Sequence, residues 1–128
     1  MPNRAKSAFT IDNRETTPAD WEGGQCQRAR WLKTYTGELA GTGVLEAIMM
    51  GLEGGDPAVY MGAERIEGTL QGRKGSFVAL HSATSSAGKH VKSWTILTGS
   101  GTDELAGISG SGEIKSNHDF VLEYELDS

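Results

Sequence analysis

The sequence predicts an all-β fold, a single closed antiparallel barrel of about eight strands. Three observations lead there. Apolar and polar residues alternate with a period of two along most of the chain, and no stretch carries the longer period of an amphipathic helix. Eighteen glycines sit inside and between these runs, where they serve tight turns and strand kinks. The runs are long and separated by turn signals. That pattern fits a barrel or a sandwich, and the long Gly-rich meander favours the barrel because closure removes exposed edges.

Taken in order, residues 1–7 are expected to be a flexible N-terminus of one domain spanning 1–128. Strands are expected over residues 8–12, 25–36, 38–50, 58–71, 75–82, 91–98 and 112–115. The last strand is the clearest. His118, Phe120, Leu122, Tyr124 and Leu126 take one face, expected to be buried, while Asp119, Val121, Glu123, Glu125 and Asp127 take the other. The breaks between strands carry turn chemistry: Gly54-Gly55-Asp56-Pro57, Gly72-Arg73, Ser85-Ser86-Ala87-Gly88 and the run from Thr98 to Asp103. Thr102 to Leu105 reads as one helical turn with Thr102 as its N-cap.

The chain of 128 residues suits one domain. Its net charge of −5, with 12 Lys and Arg scattered singly or in pairs, argues against a nucleic-acid partner and against an anionic membrane surface. Arg73-Lys74 is the densest basic spot. Cys26 is the only cysteine, so no internal disulfide forms, which fits a reducing, cytoplasmic setting. No apolar h-region follows the N-terminus, and the apolar stretch from Val44 to Leu52 is too short to span a bilayer.

Glycine-rich segments invite a search for nucleotide sites, and none is found. No GxGxxG lies between a strand and a helix, and Gly88-Lys89 lacks the upstream glycine of a P-loop, position 83 being Ala. Gly107-Ile108-Ser109-Gly110-Ser111 ends in the wrong residue for a nucleophile elbow. His81, His90 and His118 stand apart, so neither a metal site nor a cofactor is expected.

One constellation carries chemistry. A two-residue loop at Gly72-Arg73 pairs Gln71 with Lys74 and sets Glu64 opposite His81, Ile66 opposite Ala79 and Gly68 opposite Phe77. Glu64 and His81 then share a face as a carboxylate beside an imidazole, either a structural hydrogen bond or a proton-transfer pair. Any even shift of register keeps them together. A three-residue loop would instead bring Glu64 to Ser82. Glu46 lies in an otherwise apolar strand. It either sits inside, at the cost of burying a charge, or points out to solvent. Leu39, Leu45, Ala47 and Met49 make the cleaner inner face, which favours the outside, beside Val44, Ile48 and Met50, and an outer face that apolar suggests a homodimer or other homo-oligomer. Trp31, Tyr60, Phe77 and Trp94 are the aromatic candidates for lining a ligand cavity, though such residues also build cores.

The segments from Tyr60 to Leu70, from Gly72 to His81 and from Gly99 to Gly110, with the closing Tyr124-Glu125-Leu126, resemble the domain of unknown function 3224 family. The resemblance runs from about Phe9 to the C-terminus. It departs at Ser82-Ala83-Thr84, where the family pattern calls for a glycine. That family is similar to allene oxide cyclase barrels, so the resemblance implies an allene oxide cyclase-like barrel and leaves the activity open, because fold does not carry function.

Two readings of function follow. In the first, a small barrel binds an apolar or amphipathic small molecule in its lumen without chemistry. In the second, it is a cyclase or isomerase in which the cavity shapes a substrate and Glu64 or His81 moves a proton.

Overall fold

Residues 3–18, 22–52 and 57–126 are described in a computed structural model of the chain. Eight strands form: β1 (Asn3–Pro18), β2 (Gly24–Gly37), β3 (Leu39–Leu52), β4 (Ala58–Leu70), β5 (Arg73–Ser86), β6 (Lys89–Ile96), β7 (Ser109–Ile114) and β8 (Asp119–Glu125). Each pairs antiparallel with the next, and β8 pairs with β1 to close the barrel. The expected alternation is what closes it: inward side chains at every second position fill the interior while the others meet solvent.

Several boundaries differ from expectation. Residues 3–7 are the start of β1, held by pairing with β8 from Asn3↔Tyr124 to Ser7↔Phe120. β1 also runs on to Pro18 through an irregularity between Ile11 and Asn13, which the short polar side chains there had obscured. β5 continues through Ser82-Ala83-Thr84 to Ser86, so the missing family glycine falls within a strand. Gly54, Gly55, Asp56 and Asp127 lie outside the described residues.

The β4–β5 hairpin corrects the register. Its two central residues are Gln71 and Gly72, and Leu70 pairs with Arg73. Both central residues have positive φ, 46° and 87°, as the favoured tight hairpin turn requires. A turn centred on Gly72-Arg73 would have placed that conformation on Arg73. The shift is even. Glu64 therefore faces Ala79, His81 faces Gly62, Ile66 faces Phe77 and Gly68 faces Gly75, while Glu64 and His81 remain on one face as diagonal neighbours.

The two ends of the barrel are built differently. One end is packed with Leu39, Ile66, Leu70, Phe77, Ile96, Phe120, Leu122 and Tyr124. The β6–β7 connection folds across it and buries Leu105 and Ile108. Residues Asp103–Leu105 form one 3₁₀ turn. Thr102 does not cap it; its hydroxyl accepts the Ser76 N–H at 3.0 Å and so ties the plug to β5. Gly75 makes this possible, because a Cβ there would collide with the Thr102 carbonyl. At the other end no such plug is present among the described residues. β7 and β8 stop short of their neighbours there, and β6 joins β7 through one paired position, Thr95↔Ser111. His118 belongs to this end. It sits exposed in the turn Ser116–His118 at φ 63°, stacked 4.7 Å from Phe9, rather than on the buried face of β8. Phe120, Leu122 and Tyr124 do hold that face, with Leu126 half-buried beside it.

Candidate barrel-mouth site

At the level where the packed half ends, four polar side chains meet inside the barrel. β4 sends Glu64 inward, and the side chain is fully buried. β2 contributes Lys33, whose Nζ lies 3.0 Å from Glu64 Oε1, and Tyr35, whose hydroxyl donates to Oε2 at 2.6 Å. β5 contributes His81, with Nε2 at 2.9 Å from Oε1. This last approach is short but poorly aligned for a hydrogen bond. Gly43 on β3 makes room for the carboxylate; a Cβ there would strike Glu64 Oε2. Lys33 also lies 4.8 Å from the centre of the Phe9 ring, so its charge has an aromatic face as well as an anion.

Burial alone would push the Glu64 carboxyl up, but His81, the Lys33 charge and the Tyr35 hydroxyl together outweigh it and hold the pKa below the usual carboxylate range. Tyr35 is pushed far up, first by burial and then by the neighbouring Glu64 charge. Tyr60 is pushed up to about 12 by the same two causes. The cluster is thus an ionised carboxylate held by donors, with both tyrosines in the phenol form.

Above the cluster the barrel opens. One cavity of about 380 Å³ is lined by Gln25, Gln27, Met49, Tyr60, His90 and Lys92, among others. A second of about 370 Å³ is lined by Tyr60, His81, Trp94, Gly112 and Ile114, among others, and lies at the thin β6–β7 seam. They share Tyr60, Ala83 and Lys92. An aromatic wall descends from the opening into the core: Tyr60 edge-on to His81, His81 edge-on to Trp94 at 5.4 Å, and Trp94 against Phe120 at 4.8 Å. The Trp94 and Trp31 indole N–H groups are buried without an acceptor among the described residues. Among the described residues no group of His, Cys, Asp and Glu could hold a metal ion.

A family profile described as "Protein of unknown function (DUF3224)" matches residues 5–127. The chain belongs to the DUF3224 family. A solved structure of a DUF3224 protein of unknown function from Shewanella oneidensis MR-1 superposes with a TM-score of 0.84 at 23% identity, covering 100% of both chains. At that identity the likeness supports the barrel and nothing finer. No match is found among the curated proteins.

Within this DUF3224 barrel the residues singled out from sequence part company. Glu64 and His81 come together, and His81 lines the second cavity with Glu64 behind it. Tyr60 and Trp94 line the cavities. Phe77 is buried in the packed half, and Trp31 is half-buried below Arg14, whose guanidinium lies 5.3 Å from the ring centre. Glu46 is on the outside, paired with Arg30 at 2.9 Å. Sequence reasoning missed Lys33 and Tyr35. Their signal was parity: both share the inward phase of β2 with Trp31, and a lysine at an inward position needs an anion. No helix among the described residues is long and apolar enough to cross a membrane.

Proposed function

We propose that this chain is a binding protein, working in the cytoplasm, that takes a small amphipathic molecule into the open mouth of its barrel. The observation that carries this is the asymmetry of the interior: a filled half, a sealed polar floor, and two adjoining cavities above it. Met49, Met50, Val59 and Ala83 offer an apolar wall to the body of a ligand. Lys92 and His90 face this cavity and no acid lines it among the described residues, which favours a ligand with an acidic or strongly accepting end. Trp94 adds an aromatic wall to the second cavity, and its buried indole N–H has no acceptor among the described residues. The lone Cys26 supports the reducing compartment.

The probe 1-anilinonaphthalene-8-sulfonate, an anionic amphiphile, tests the reading by fluorescence titration. Saturable binding is expected, weakened by Lys92→Gln and blocked by Ala83→Trp, which fills the shared wall. A signal unmoved by both variants would overturn it.

One observation favours a second reading, an isomerase or cyclase. His81 lines a cavity with the ionised Glu64 behind it, the arrangement of a base that touches substrate and is positioned by an anion. Under this reading a ligand recovered after incubation in D2O carries deuterium on carbon, and His81→Gln abolishes the exchange while leaving binding intact.

A further inference from the structure

The outer surface of β2–β5 carries the other conspicuous feature. Ile48 on β3 and Met61 on β4 pair directly across the ladder and are 46% and 60% exposed. Leu80 on β5, 41% exposed, pairs with Ala63 and so stands diagonal to Met61. Val44 and Val78 flank the same stretch, each paired with Arg65. Antiparallel register has thus gathered apolar side chains from three adjacent strands into one patch, where singly scattered ones would need no explanation. Met50, placed on this face by its parity, is half-buried at the mouth and lines the cavity there, so Met61 and Leu80 complete the patch in its place. The surface is not convex throughout. Two depressions of about 630 and 310 Å³ lie over it and share Glu46 and Ala63.

We propose that this face is where two copies of the chain dock. Charge selects the occupant. The chain carries a net charge of −5, so two copies repel in general. The groups around these depressions do not share that excess: Arg28, Arg30 and Arg65 are balanced by Glu15, Glu46 and Glu67. Two of the pairs are already formed, Arg30 with Glu46 at 2.9 Å and Arg65 with Glu67 at 3.1 Å. A two-fold interface must be complementary to itself. A neutral rim carrying both signs around an apolar centre meets that demand. A nucleic acid would call for surplus arginine, and a basic partner for surplus glutamate; this rim offers neither. The docked face leaves the mouth free, since Val44, Ile48, Met61, Val78 and Leu80 line neither of the two cavities.

Sedimentation equilibrium on the intact chain at tens to hundreds of micromolar tests the proposal. The expected result is a dimer. Met61→Glu, placing one more acid in the centre, should raise the dissociation constant at least about tenfold, as loss of a central contact does. Ala63→Trp, which fills the shared depression without changing charge, should also dissociate the dimer, keeping the test valid if Met61→Glu perturbs the fold. Val91→Glu, at an exposed apolar residue of β6 away from the patch, should leave the dimer intact. A wild-type chain that stays monomeric at these concentrations would overturn the proposal. So would a dimer that survives both Met61→Glu and Ala63→Trp.

Discussion

The two ends of this barrel use the same alternation of residues for opposite purposes. In the packed half the inward positions are Leu, Ile and Phe, and the β6–β7 connection seals them with Leu105 and Ile108. In the mouth the inward positions include Gln25, Gln27, His90 and Lys92, and the two cavities remain. The Glu64 cluster lies between them. Period-two patterning therefore decides the barrel, and the chemistry at the inward phase decides which half is core and which half is site.

If that division is right, disturbing the boundary should cost the most. Glu64→Gln leaves the Lys33 charge buried without its anion and should lower stability by about 3–5 kcal/mol in chemical denaturation. A loss under about 1 kcal/mol would mean that the cluster hydrates freely and the floor is not sealed. Leu122→Ala, in the packed half, should cost about 2–5 kcal/mol, whereas Lys92→Gln in the mouth should stay within about 0.5 kcal/mol. Equal effects at the two positions would erase the distinction between the halves.

Gly43→Ala sharpens the boundary further. The added methyl competes with the Glu64 carboxylate for space, and a loss of about 1–3 kcal/mol is expected. Acid adds a smaller test of the same residue. The Glu64 pKa is lowered on folding, so its stabilisation is present at neutral pH and is lost as pH falls through and below the ordinary carboxylate range. Thermal melting temperatures should fall there, and less steeply in Glu64→Gln; parallel curves would show that Glu64 does not carry the acid sensitivity. The subtlest expected difference is dynamic. With one paired position between them, β6 and β7 should exchange amide hydrogens faster than β3 and β4.

Much of this division was legible in the sequence. The clean alternation of Phe120, Leu122 and Tyr124 identified a core face, and the number of strands followed from glycine-marked breaks. The pairing of Glu64 with His81 survived an error in register because the error was even; the positive φ at Gln71 is what moved the turn by one residue. The remainder depended on contacts far apart in sequence. Nothing near Lys33 or Tyr35 announces Glu64, 31 and 29 residues away, as a partner. The Asn3–Ser7 segment reads as a polar terminus until β8 is available to pair with it. The plugging of one end depends on Thr102 and Leu105 meeting β5, which no local pattern encodes.

The most direct test of the division is a titration of the isotope-labelled chain with 1-anilinonaphthalene-8-sulfonate, followed by amide and indole NMR shifts. The account predicts saturable changes at Tyr60, Ala83 and Lys92 and at the Trp94 indole, with Leu70, Phe77 and Leu105 unmoved. Shifts confined to the outer face around Met61 and Leu80, or spread evenly through both halves, would contradict it.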